Sequence, residues 1–110
     1  MAEHPLATNG NFLHIYDFRV QPGKGDEFVE LFTQFDASDR NIMHASPAQV
    51  TDGVLCRDTT DPDHFYLVGE WRSVEIHQEL RRRMVEEVRP DWLSLIQGAG
   101  AIPNYAVVVG

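Results

Sequence analysis

Apolar and polar positions along the chain follow two different periods, and these divide it into elements. In Phe12–Val20 the even positions are Phe12, His14, Tyr16, Phe18 and Val20, and the odd ones are Leu13, Ile15, Asp17 and Arg19. A run so rich in aromatic and β-branched residues predicts a strand with large apolar groups on both faces. After the turn Gln21-Pro22-Gly23-Lys24-Gly25, Phe28, Leu31, Phe32 and Phe35 recur at helical spacing. They predict an amphipathic helix to about Asp36, which Ile42 and Met43 can extend. Asp26 and Glu27 sit in its first turn, where a helix dipole favours negative charge. Residues His44–Asp52 carry no readable pattern.

Gly53–Asp58 and His64–Trp71 predict two strands joined by Thr59-Thr60-Asp61-Pro62-Asp63, a turn-rich link that makes them a hairpin. Ser73 is placed to cap a second helix bearing Val74, His77, Leu80, Met84, Val85 and Val88. Pro90 interrupts it, and a short helix with Trp92, Leu93 and Ile96 ends near Gly98. Asn104–Val109 is the last strand. The order β-α-β-β-α-α-β predicts an α+β ferredoxin-like sandwich, a four-stranded antiparallel sheet with helices on one side. Residues 12–110 form that domain, preceded by a flexible N-terminal arm over residues 1–11.

Two helices cover one sheet face, yet the strands are apolar on both. His64, Tyr66, Val68 and Glu70 oppose Phe65, Leu67, Gly69 and Trp71, while Tyr105, Val107 and Val109 oppose Ala106 and Val108. A second copy of the same sheet is the simplest cover for the other face, so a homodimer joined through its sheets is expected.

Composition narrows the function classes. The 110 residues suit one domain, and nine Lys+Arg against 17 Asp+Glu give a net charge of −8. An acidic domain of this kind argues against nucleic acid or anionic membrane as a partner. One cysteine, Cys56, excludes an internal disulfide and reads as a small buried apolar residue. With no long apolar run and no leader-like N-terminus, a cytoplasmic location is expected.

The segment Phe18-Arg19-Val20-Gln21-Pro22-Gly23-Lys24-Gly25-Asp26-Glu27-Phe28 resembles the strand, Pro-Gly-Lys turn and acidic helix start of a known family. Phe65-Tyr66-Leu67-Val68-Gly69-Glu70-Trp71-Arg72-Ser73-Val74-Glu75-Ile76-His77 is similar to its Glu-Trp-x-Ser-x-Glu-Ala-His segment. The family is the antibiotic biosynthesis monooxygenase (ABM)-like group of the dimeric α+β barrel superfamily, and the resemblance runs from about Phe12 to Val109. It implies a dimeric barrel with a pocket between sheet and helices in each protomer. The activities it implies are cofactor-independent oxidation of polycyclic aromatic quinols, quinol monooxygenation and haem degradation.

Residue by residue, Trp71 matches the pocket tryptophan of polyketide-oxidising and haem-degrading members. His77 stands where some polyketide oxygenases carry a pocket tyrosine. Tyr16 lies near the catalytic asparagine of haem-degrading members, and Leu67 where polyketide oxygenases place an asparagine. These two departures, with no histidine near Arg81 to ligate haem, disfavour haem degradation.

The chemistry expected is oxidation of a small phenolic or quinol substrate by O₂ with no cofactor. It requires a deprotonated phenol, a base near neutral pKa, a dry pocket and a donor for developing negative charge. Trp71, His77 and Tyr16 are the candidate catalytic residues. His14, Phe18, Phe28, Phe32 and Leu67 are the candidate substrate-binding residues, with His14 a second candidate base.

Each has a structural alternative: Trp71, Tyr16 and His77 also suit core positions, and His64 reads as an exposed turn neighbour. Asp61-x-Asp63-His64 and Glu70/His77 are the only suggestive metal groupings, without helical ligand spacing, so no metal is expected. Arg81-Arg82-Arg83 reads as a solvated face paired through Glu79–Arg83, Arg82–Glu86 and Arg83–Glu87. A non-redox isomerase or cyclase on the same barrel and a non-catalytic ligand-binding dimer are the alternative functions.

Overall fold

The elements follow the expected order in the computed structural model, which describes residues 6–98 and 101–110. They are β1 (Phe12–Arg19), α1 (Gly25–Asp36), β2 (Gln49–Arg57), β3 (His64–Trp71), α2 (Val74–Arg83) and β4 (Asn104–Val107). The strands form one antiparallel sheet in the order β2-β3-β1-β4, an α+β ferredoxin-like fold. No described helix is long and apolar enough to cross a membrane.

Side-chain hydrogen bonds decide where the helices begin. Ser73 Oγ accepts from Ile76 N at 3.2 Å and starts α2. Lys24, at the start of α1, has no such bond of its own. Asp63 supplies one from the loop before β3, its carboxylate accepting from Gly23 N and Gly25 N at 3.0 Å each. That bond spends Asp63 on structure and takes it out of any metal grouping. Ile42 and Met43 do not extend α1. Asn41 Oδ1 accepts from Met43 N and starts a separate 3-10 turn, Ile42–Ala45. The stretch without a pattern holds the beginning of β2, at Gln49 rather than Gly53, and register shifts near Thr51 mark bulges.

Past Arg83, α2 passes into a π turn, Met84–Val88, closed by Arg89 N donating to Met84 O at 2.9 Å. Arg89 adopts φ 51°, the left-handed conformation that ends the element. The segment after Pro90 is a 3-10 turn, Asp91–Leu95, that brings Trp92 against α1.

The core lies between the helices and one sheet face. Phe28 of α1 is fully buried, its ring 5.4 Å from Phe18, 5.0 Å from Phe65, 5.7 Å from Phe32 and 5.9 Å from Trp92. Register fixes the faces. Phe12 pairs with Trp71, His14 with Gly69, Tyr16 with Leu67 and Phe18 with Phe65, all on the helix side.

Leu13, Ile15 and Asp17, with Tyr66, Val68 and Glu70, take the other side, where no helix packs. That open face is apolar in the middle and polar at both ends. Val54 is 57% exposed beside Val68, and Cys56 opposite Tyr66 is exposed, which corrects the expectation of a buried thiol. His64 is buried at one end, bonded to Asp17, and is not an exposed turn neighbour. At the other end Glu70 accepts from Thr8 N at 3.0 Å and Asn11 Nδ2 at 2.8 Å. Residues 8–11 are thereby held on the sheet; residues 1–5 of the expected arm lie outside the described residues.

Gly25 is the tightest point of this frame. A Cβ there would stand 2.2 Å from Pro62 O and 2.9 Å from Asp63 Oδ1, whereas one on Gly23 meets nothing within 4 Å. Gly25→Ala is expected to lower the free energy of urea unfolding by about 2–3 kcal/mol. Gly23→Ala, strained only through its φ of 81°, should cost roughly 1–2 kcal/mol. Equal losses in the two variants would refute the packing assignment.

Candidate functional site

Between the sheet and the helices lies a cavity of about 260 Å³, at the small end for ligand pockets. Its floor is the helix-side row of β1, His14, Tyr16 and Phe18, with Leu67 of β3. α1 contributes Phe28, Phe32 and Phe35, and Trp92 and Leu93 close the aromatic side. α2 contributes His77 and Arg81, one turn apart on the same face, followed by Met84 of the π turn. Asn41, Met43, His44 and Gln49 form the rim.

The two imidazoles occupy one corner. His14 and His77 stack with ring centroids 4.6 Å apart, and Tyr16 stands edge-on to His14 at 5.1 Å. His14 fits because its partner on β3, Gly69, lacks a side chain, and Gly53 likewise leaves room for Leu67. A Cβ on Gly69 would lie 2.5 Å from His14 Nε2, and one on Gly53 would lie 3.0 Å from Leu67 Cδ1. His77 Nδ1 is 2.6 Å from the Tyr105 hydroxyl, a hydrogen bond from β4. His14 Nδ1 and His77 Nε2 are buried without a hydrogen-bond partner.

Burial sets the charge of this corner. Desolvation pulls His14 down to about 4, opposed by the Leu67 carbonyl. His77 falls to about 3, through burial first and then the nearby His14 and Arg81. Both are neutral at pH 7, so the expectation of a base near neutral pKa is not met. Burial also raises Tyr16, against the pull of Arg81 beside it. The corner is thus a set of neutral hydrogen-bonding groups beside one cation.

Seven of the eight residues singled out in the sequence, His77, Tyr16, His14, Phe18, Phe28, Phe32 and Leu67, line the cavity. Trp71 stands one layer behind. It is 1% exposed, packs edge-on against His77 at 4.9 Å, and its Nε1 has no partner. Arg81 corrects the reading of the arginine run. Arg82 makes the surface pairs, with Glu79 and Glu86 at 2.6 Å, and Arg83 lies 3.8 Å from Glu87. Arg81 turns inward and donates to Ala101 O at 2.5 Å. Its position four residues after His77 was the available signal.

Tyr105 and the rim residues were also missed. At the rim His44 bridges Asp36 and Asp52 at 3.1 Å each. Burial works against protonation of His44, but Gln49, Asp52 and Asp36 together raise its pKa. Glu70 lies on the opposite sheet face from the cavity, so Glu70/His77 is not a metal pair. Among the described residues no three candidate ligands gather.

The buried imidazoles carry a signature in stability. Their native pKa values lie below the ordinary 6.5, so under acid conditions the unfolded chain binds protons that the native chain does not. Stability then falls as pH drops below 6.5. We expect a loss of about 1.4 kcal/mol per imidazole for each unit between roughly pH 6 and 4.5. Urea titrations of wild type and His77→Gln over that range test this, and the variant should lose about half of the histidine-dependent slope. An unchanged slope would show that His77 is not buried neutral.

Neither the protein-family models nor the curated proteins give a match to this sequence. Solved structures do. A provisionally named antibiotic biosynthesis monooxygenase from Bordetella bronchiseptica superposes with a TM-score of 0.74 at 20% identity, over 93% of this chain and 100% of that one. A similarly named protein from Chloroflexus aurantiacus gives 0.59 at 23% identity, over 91% and 94%. A dimeric ferredoxin-like protein from an uncultured marine organism gives 0.63 at 17%, over 93% and 90%. At these identities the likeness is one of architecture. The chain therefore has the α+β ferredoxin-like fold found in proteins that bear the antibiotic biosynthesis monooxygenase name.

Proposed function

We propose that the protein is a cofactor-independent monooxygenase acting on a small phenolic or quinol aromatic, held between sheet and helices. The observation that carries this is a cavity with aromatic walls and, at one end, buried imidazole nitrogens that have no partner within the chain. Buried polar atoms of this kind cost free energy unless a ligand or water completes them. A flat aromatic with its ring among Phe18, Phe28, Phe32 and Trp92 and its hydroxyl at the His14–His77 corner fits these walls. The structures that share the fold and bear the monooxygenase name support the same reading.

The chemistry is set by that placement. An electron-rich phenolate passes one electron to O₂, and the aryloxyl radical and superoxide combine at a ring carbon. After protonation, the hydroperoxide O–O bond breaks and that carbon loses its hydrogen, leaving a quinone and water. One oxygen atom of O₂ ends in each product, so substrate and O₂ balance quinone and water without a further reductant. His77 and Tyr16 orient the phenol oxygen. Trp71, packed against the His77 ring, holds that imidazole in place.

Two copies joined through their open faces complete our reading, in a reducing cytoplasm where Cys56 stays a thiol. Leu13, Ile15, Val54 and Val68 form the apolar centre of that face, and Asp17, His64 and Glu70 its polar rim. The dimeric ferredoxin-like protein of similar fold supports it. Light scattering at micromolar concentration should give twice the 12.5 kDa chain mass, and Val68→Glu should halve it. A wild-type monomer would refute the pairing.

Oxygen uptake with hydroquinones and naphthols, on chelator-treated protein, tests the activity. We expect one O₂ consumed per quinone formed and a loss of roughly a hundredfold in kcat for His77→Phe. Conversion without O₂ uptake would favour the isomerase or cyclase. Ligand-induced thermal stabilisation with neither uptake nor conversion would leave a binding protein.

A further inference from the structure

Arg81 is a cation facing the cavity, whose other ionisable lining groups at the rim, Asp36 and His44, pair with each other. Its guanidinium donates to the Ala101 carbonyl and lies within reach of the Tyr16 hydroxyl, and no carboxylate pairs with it among the described residues. This is unusual in a chain with 17 acidic residues, whose neighbouring Arg82 pairs with Glu79 and Glu86. Arg81 also acts on the whole polar corner, favouring the ionised forms of Tyr16 and Tyr105 and opposing protonation of His77. Two imidazole rings line the cavity with it, His14 and His77, each with a buried nitrogen that has no partner. His77 is 1% exposed and His14 4%, so water from the surface does not solvate them freely.

We propose that the cavity selects an aromatic ligand already carrying a negative oxygen, phenolate or carboxylate, seated on the Arg81 guanidinium. This rests on the reading of the cavity as an aromatic-ligand site and specifies what enters it. It also explains how a site without an effective base can hold a phenolate. Proton transfer from a phenol to an imidazole whose pKa lies near 3 or 4 is steeply uphill. A fixed cation in a poorly solvated pocket lowers the ligand's own pKa, and the proton leaves to solvent as the ligand binds. A planar guanidinium matches a carboxylate or phenolate oxygen better than a lysine ammonium does. The acidic exterior repels anions generally, so selectivity has to come from this one side chain.

The test compares two ligands of nearly equal shape, 2-naphthoate and 2-naphthamide, by titration calorimetry at pH 7.5 on the full chain. Wild type should bind the carboxylate at least about tenfold more tightly than the amide. Arg81→Gln should bring the ratio close to one, and Arg81→Lys should restore part of it. Arg82→Gln removes the same unit of charge from the surface and should leave the ratio intact. Equal affinity of wild type for the two ligands overturns the proposal and leaves the cavity reading standing. So does a carboxylate preference that Arg81→Gln leaves unchanged. If wild type binds neither ligand, the cavity reading falls and this inference falls with it. The wild-type comparison decides even if loss of the Ala101 contact unfolds Arg81→Gln.

Discussion

The two-residue period of β1 is the constraint on which everything else rests. This strand lies inside the sheet, paired with β3 along its full length and with β4 over Phe12–Ile15. Its even side chains become the cavity floor and its odd ones the open face. A slip of one residue would exchange the two sets, placing Asp17 in the core and His14 outside. The pairing of His14 with Gly69 makes such a slip still costlier, because only a glycine there leaves room for the imidazole. One backbone register thus decides where the imidazole sits, where the apolar patch lies, and how α1 and α2 pack over them.

The cavity joins two regimes of physical chemistry within one small volume. On the Phe28 side, rings pack edge-on and offset and exclude water, which favours any flat apolar molecule. On the His77 side, the same exclusion of water keeps imidazoles neutral and leaves nitrogen atoms without partners. The dry walls therefore create the electrostatic character of the polar corner. In a wetter site His77 would titrate near neutrality and Arg81 would be screened.

Much of this was legible in the sequence, for identifiable reasons. The strands and helices are amphipathic with clear periods, the Ser73 cap is local, and the apolar surplus on β1 and β3 shows directly as large residues on both faces. Cavity residues on β1, α1 and α2 could be placed because a face, once recognised, carries all its members inward. What escaped depends on contacts between distant residues or on competing local explanations. Tyr105 reaches His77 across 28 positions with no pattern to mark it. Arg81 was hidden by abundant glutamates nearby, although its spacing from His77 places both on one helical face. Residues 41–49 are shaped by the side-chain bonds of Asn41 and His44, which leave no period.

The π turn at Met84–Val88 makes the aromatic wall tolerant of chain length. It holds one residue more per hydrogen-bonded turn than the α-helix before it. Because each residue of a π turn winds less than one of an α-helix, the extra residue is absorbed with little rotation of the chain beyond it. Trp92 therefore reaches Phe32 and Phe35 much as it would after a regular helix one residue shorter. Over evolutionary time, this segment can gain or lose that residue with less effect on the cavity than a substitution inside it. Relatives one residue shorter between His77 and Trp92 are thus expected to keep the same aromatic wall.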